Sequence, residues 1–139
     1  MSYLFDTNLW IQILKKRAPA ARLRVTQAPA ESFVTCSIVQ AELWHGACKY
    51  DVPARRRLQV DEAMAPYRSL PFDGLAAGYY ATVRHELELR GEMIGPNDLK
   101  IAAICLAHDL TLVTGNVREF RRVPGRKVED WSGPAPPAP

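Results

Sequence analysis

No apolar stretch of this 139-residue chain comes near the ~20 residues that a bilayer-spanning helix needs, and the start lacks the basic-then-apolar order of a secretory signal. A cytoplasmic protein is therefore expected. Cysteine is scarce: Cys36, Cys48 and Cys105 are odd in number and none falls in a C-x-x-C pair. That supports neither a disulfide framework nor a zinc knuckle, and leaves buried free thiols as the expectation. His45, His85 and His108 show no H-E-x-x-H or other metal spacing, and no Ser-His-Asp arrangement can be argued for them. Charge of one sign does not dominate either. Lys and Arg number 18 against 15 Asp and Glu, a net +3 that is compatible with a nucleic-acid partner without requiring one. The length suits one domain with one core.

What the chain does have is an alternation of strand-like and helix-like segments. Residues 2–5 form a short apolar strand ending at Asp6, after which Thr7 is placed to cap a helix running to about residue 16. Pro19 opens a helical stretch to about residue 28, and residues 32–36 read as a second strand. Ser37 and Gln40 have the spacing of a capping box, which puts Glu42 in the second turn of a helix continuing towards residue 49. A helix over 55–65, an extended segment over 67–72 and a long helix capped by Asp73 and stopped by Gly91 follow. Residues 98–108 carry an apolar stripe of Ile101, Ala102, Cys105 and Leu106, with Asp98 in the first turn. Residues 111–114 are of buried parallel-strand type, 128–131 add an edge, and 132–139 form a flexible Pro/Ala-rich tail behind a domain of residues 1–131.

Such an alternation predicts an α/β fold: a single domain with a central parallel sheet of four to five strands and helices on both faces, because parallel neighbours need crossover connections. Ligands of open α/β sheets gather beyond the carboxyl ends of the strands, where Asp6, the approach to Glu42 and residues 114–119 should emerge, with the Asp98 helix completing the ring. Convergent carboxylates of this kind point to a divalent cation. Mg²⁺ and Mn²⁺ prefer oxygen ligands, and phosphodiester hydrolysis uses them to activate water and to neutralise charge developing on phosphate. Each acid also has a purely structural explanation: a turn or cap for Asp6, a helix-surface acid for Glu42, and a favourable helix-dipole position for Asp98. Basic clusters occur at Lys15 to Arg17, Arg55 to Arg57, and from Arg118 to Lys127. The second of these reads equally well as a solvated helix face. Trp10, Trp44, Tyr79 and Tyr80 are expected in the core, with base stacking or a dimer seam as alternatives, and His45 as a polar surface residue.

Four segments in order resemble a known family: Phe5-Asp6-Thr7-Asn8; Ala41-Glu42 with Gly46 following; Ile94-Gly95-Pro96-Asn97-Asp98; and Thr114-Gly115-Asn116-Val117-Arg118-Glu119-Phe120. Together they look like PIN-domain ribonucleases of the VapC toxin type. The resemblance implies the toxin of a type II toxin–antitoxin pair. Such a toxin is a Mg²⁺- or Mn²⁺-dependent endoribonuclease acting on tRNA or other structured RNA and inhibiting translation. It is a homodimer, neutralised in a hetero-oligomer with a VapB-type antitoxin, and reaches DNA only through that antitoxin. Asp6, Glu42 and Asp98 match the family's metal-binding acids, and Thr114 its hydroxyl residue. Many members carry Asp where this chain has Asn116, and Glu119 is placed to supply the missing carboxylate. Two other readings stand beside it: a catalytically weak PIN module that binds RNA or a protein partner, supported by Asn116, and a phosphohydrolase of another α/β family, disfavoured because Thr7 and Asn8 replace the D-x-D of aspartyl-phosphate enzymes.

Overall fold

The protein is described here over residues 1–133 of a computed structural model. Five strands, β1 (Tyr3–Phe5), β2 (Phe33–Cys36), β3 (Arg68–Leu70), β4 (Thr111–Val113) and β5 (Val128–Glu129), form one sheet in the order β3-β2-β1-β4-β5. Every neighbouring pair is parallel. The helices are α1 (Thr7–Leu14), α2 (Pro19–Thr26), α3 (Ser37–Ala47), α4 (Pro53–Met64), α5 (Gly74–Arg90), α6 (Pro96–Ala107) and the single turn α7 (Val117–Phe120). The chain steps outward from β1 to β2 to β3, then returns across the sheet to β4 and β5 on the other side of β1. Right-handed crossovers therefore put α1 to α4 over one face and α5 to α7 over the other. The order reverses between β1 and β4, which makes the carboxyl ends of these two strands the switch point where an α/β sheet opens a crevice.

The core explains the central strands. Leu4 in β1, Cys36 in β2 and Val113 in β4 are fully buried, as Ile101 and Ile104 of α6 are. Tyr3 and Phe5 pack edge-on against Trp131, and Phe33 joins them with Trp10 and Tyr67 behind. Trp131 thus closes the aromatic layer from just beyond β5. Of the anticipated tail, residues 134–139 lie outside the described residues.

Several local expectations are corrected by their surroundings. Asp6, not Thr7, is the N-cap of α1, its Oδ1 accepting from Leu9 N at 2.9 Å. Ser37 and Gln40 make no capping box: Cys36 caps α3 without a side-chain bond, while Ser37 Oγ accepts from Phe72 N and Gln40 Oε1 from Ser69 Oγ, so both residues tie α3 to β3 and the segment after it. Cys48 is exposed, in contrast to the buried Cys36 and Cys105. Arg56 is buried over the Tyr50 ring, and Arg57 lies 3.8 Å over Trp44, so this basic run packs on aromatics rather than forming a uniformly solvated face. Helix α6 begins at Pro96, whose missing N–H costs nothing at a first helical position, so Asp98 is its third residue. Asp73 and Gly91 bound α5 as expected, Gly91 with a φ of 65°. Among the described residues, no helix is long and apolar enough to cross a membrane.

Candidate active site

The switch point is built on Asp6 and Thr114, the residues that immediately follow β1 and β4. Both are buried, and Thr114 Oγ1 donates to Asp6 Oδ2 at 2.5 Å across a separation of 108 residues. The same hydroxyl oxygen accepts from Asn116 N at 2.9 Å, which turns the chain from β4 into α7. Asp6 therefore has one oxygen committed to the start of α1 and the other to the end of β4. Burial pushes its carboxyl above the usual range, against the lowering effect of Thr114 and the Leu9 amide and with a further rise from the Glu42 charge.

Glu42 comes from the second turn of α3, where Thr7 Oγ1 donates to its Oε1 at 2.5 Å and Asn97 Nδ2 approaches its Oε2 at 3.5 Å. Asp98 stands half-buried in the first turn of α6. Its carboxyl is pushed up to about 6, first by burial and then by the negative charges of Glu119, Glu42 and Asp6. The four acids thus share one field, and none of them forms an ion pair with Lys or Arg among the described residues. Their partners are neutral hydroxyls and amides. Among the described residues no three Asp, Glu, His or Cys side chains already converge as ligands on one point. Asp6, Glu42 and Asp98 open onto a groove of about 310 Å³, together with Thr7, His45 and Lys49.

Glu119 is brought to the same rim by α7, with both oxygens already accepting: Oε1 from Gly95 N at 3.1 Å and Oε2 from Asn116 Nδ2 at 2.5 Å. Gly95 precedes α6, so Glu119 anchors the start of the helix that carries Asp98 as well as acting on it through its charge. Asn116 faces Glu119 rather than replacing it. All six sequence-selected residues, Asp6, Glu42, Asp98, Thr114, Asn116 and Glu119, therefore meet at one end of the sheet. Sequence reasoning missed Thr7 and Asn97, the two donors to Glu42. It had assigned the Thr7 hydroxyl to capping, and reading Asp6 as the cap would have freed it. Cys36 lies beside this cluster, and burial pushes its thiol up to about 11.

The comparisons with known proteins agree with this architecture. The PIN domain profile matches residues 3–126. The chain is similar to the ribonuclease VapC2 of Haemophilus influenzae, at 33% identity over 94% of this chain and 98% of that one. It is also similar to the tRNA(fMet)-specific endonuclease VapC of Salmonella typhimurium, at 33% identity over the same shares. Among solved structures, the DNA-bound VapBC of Salmonella typhimurium superposes with a TM-score of 0.89 at 33% identity, covering 94% of this chain and 98% of that one. VapBC2 of Rickettsia felis, bound to a promoter DNA fragment, gives 0.86 at 32% identity, over 94% and 99%. The fold that forms this switch point is thus matched over nearly the whole chain, and the chain belongs to the PIN-domain family, among its VapC ribonucleases.

Proposed function

We propose that residues 1–131 work as an endoribonuclease toxin that hydrolyses phosphodiester bonds in RNA, with tRNA as the favoured class, and thereby stops translation in the cytoplasm. Its relatives are ribonucleases and a tRNA(fMet)-specific endonuclease, and its structural neighbours are VapBC complexes with DNA. On that support the chain works as a homodimer, is neutralised by a VapB-type antitoxin, and meets DNA only through that antitoxin. The observation that carries the reading is the set of carboxylates around one groove, with Asp98 pushed up to about 6 by burial and by its acidic neighbours, and no basic side chain paired to them among the described residues.

That donor set fits a hard divalent cation. It is all oxygen, it is anionic, and its mutual repulsion is what a dication would relieve. Asp6, Glu42 and Asp98 are the residues that would hold Mg²⁺ or Mn²⁺. A bound dication lowers the pKa of a coordinated water and neutralises charge on the phosphoryl oxygens. The protein's own contribution is orientation. Thr114 and the Leu9 amide fix the Asp6 carboxylate, Thr7 and Asn97 steer Glu42, and Glu119 pins the first turn of α6 so that Asp98 faces the groove. In this scheme Glu119 and Asn116 act as a positioning pair, which favours an active enzyme over a weak binding module despite the amide at 116.

The test is to incubate antitoxin-free protein and its Asp98→Asn variant with total RNA, with Mg²⁺, Mn²⁺ or EDTA, and to map new RNA ends by sequencing. Discrete metal-dependent ends that the variant fails to make are expected. A folded wild-type protein that makes no cuts with metal present would replace the enzyme reading with the binding-module one.

A further inference from the structure

The groove does not end at the acids. Glu42, His45, Gly46 and Lys49 follow at i, i+3, i+4 and i+7, the spacing of a single helix face, and all four line the same groove. The turn is carried past the end of α3 by Cys48 N and Lys49 N, which donate to the carbonyls of His45 and Gly46 at 3.1 Å each. Lys49 therefore stands about 10 Å along the helix axis from Glu42. Charge reverses along this stripe, from carboxylate at the sheet end to ammonium at the outer end. Lys49 and His45 are both exposed, and neither side chain has a hydrogen-bond or ion-pair partner among the described residues. Between them, a Cβ built on Gly46 would meet no atom within 4 Å. Gly46 is the penultimate residue of α3, and no neighbouring element takes up the space a side chain there would fill. Packing against the rest of the fold does not require glycine here, and the bare strip lies on the groove side.

An acidic pocket alone repels the polyanion it must cut. A free ammonium one phosphate or two along the chain offsets that repulsion without quenching the acids, since Lys is a flexible point charge suited to a phosphate oxygen. We propose that the RNA chain leaves the acid cluster along the α3 stripe, its backbone lying against Gly46 beside His45, with Lys49 binding a phosphate that flanks the scissile one. This rests on the ribonuclease reading above, and it assigns Lys49 to substrate binding rather than to the reaction.

The experiment uses the full chain freed of antitoxin, with bulk tRNA as the probe and Mn²⁺ in excess, at several salt concentrations. Lys49→Ala is expected to raise KM about three- to tenfold with kcat little changed, and to flatten the slope of log KM against log salt by about 0.7 to 0.9, the loss of one phosphate contact. Lys49→Arg restores both, and the rise in Tm on adding Mn²⁺ is the same in all three proteins. Gly46→Leu keeps or raises Tm and lifts KM at least tenfold. A Lys49→Ala protein with wild-type KM and salt slope overturns the proposal while leaving the nuclease intact, as does a Gly46→Leu protein with wild-type KM. A wild-type chain that cuts no tRNA overturns the ribonuclease reading and this one with it.

Discussion

Removing one carboxyl from the site should make the metal-free protein more stable. Asp98 is the acid to remove, because its carboxyl is pushed up from 3.8 to about 6 by burial and by the charges of Glu119, Glu42 and Asp6. A shift of that size corresponds to roughly 3 kcal/mol against the ionised form at neutral pH. The group is half-buried, so solvent screening leaves about half of that. Asp98 also sits in the first turn of α6, where a negative charge gains about 0.5 kcal/mol from the helix dipole, and an amide forfeits this. The net expectation for Asp98→Asn is about 1 kcal/mol of added stability, or a Tm higher by about 3–5 °C in a domain of this size. The sign follows from linkage. The folded carboxyl holds its proton up to a higher pH than the unfolded one, so the wild type is penalised above pH 6 and recovers stability as pH falls from 6 towards 3.8. The advantage of the variant should shrink over the same window. Differential scanning fluorimetry in EDTA at pH 7.5 and at pH 4.5 measures both ends. Adding Mn²⁺ should reverse the order, since a ligand of the folded state stabilises only the protein that binds it. Equal or lower stability of the variant in EDTA at pH 7.5, or an equal response of both proteins to Mn²⁺, would refute the reasoning.

Three further outcomes follow from individual contacts. Thr114→Val removes a buried donor from Asp6 and the acceptor of the Asn116 amide, so a loss of about 1–3 kcal/mol is expected by denaturant titration together with reduced RNA cleavage; unchanged stability would mean that the strand-end hydroxyl does not hold the crevice together. Glu119→Gln removes one of the charges that raise Asp98, so the Asp98 titration followed by carboxyl-selective NMR should move to lower pH, and the acid limit of Mn²⁺ binding with it; a titration that stays put would place Glu119 electrostatically outside the site. Trp10 buries an indole N–H that has no hydrogen-bond partner among the described residues, beside a cavity of about 220 Å³. In Trp10→Phe the relief of that orphan donor offsets most of the lost apolar contact, so Tm should stay within a few degrees of wild type, whereas a drop beyond 10 °C would show that the ring is filling space the cavity does not suggest.

The parts of this molecule that were legible in its sequence are those with local signals. Apolar strands that hand over to Asp6 and Thr114, the cap and stop at Asp73 and Gly91, and an acid in the first turn after Pro96 each carry their meaning within a few residues. Long-range partners are what local pattern cannot supply. Ser37 and Gln40 have the spacing of a capping box, yet β3 and the segment after it provide better partners from some 30 residues away, so the tertiary contact wins. Arg56 looks like part of a solvated basic run, but Tyr50, in the connection between α3 and α4, offers it an aromatic face. Thr7 and Asn97 were passed over because their meeting with Glu42 depends on how α1, α3 and α6 dock. The acids were visible because chemistry demanded them together, and the groups that aim them were not, because neutral hydroxyls and amides have many uses.

The strand order also sets a schedule. β1 is made first and ends up in the middle of the sheet, with β2 on one side and β4 on the other. A ribosome that has released only the first hundred residues has delivered Asp6, Glu42 and Asp98, but one edge of β1 is still bare and the hydroxyl that steadies Asp6 has not yet been synthesised. Glu119, which pins the start of α6, comes later still. The crevice is therefore complete only once β4 and α7 have joined the sheet, and the acids by themselves do not make it.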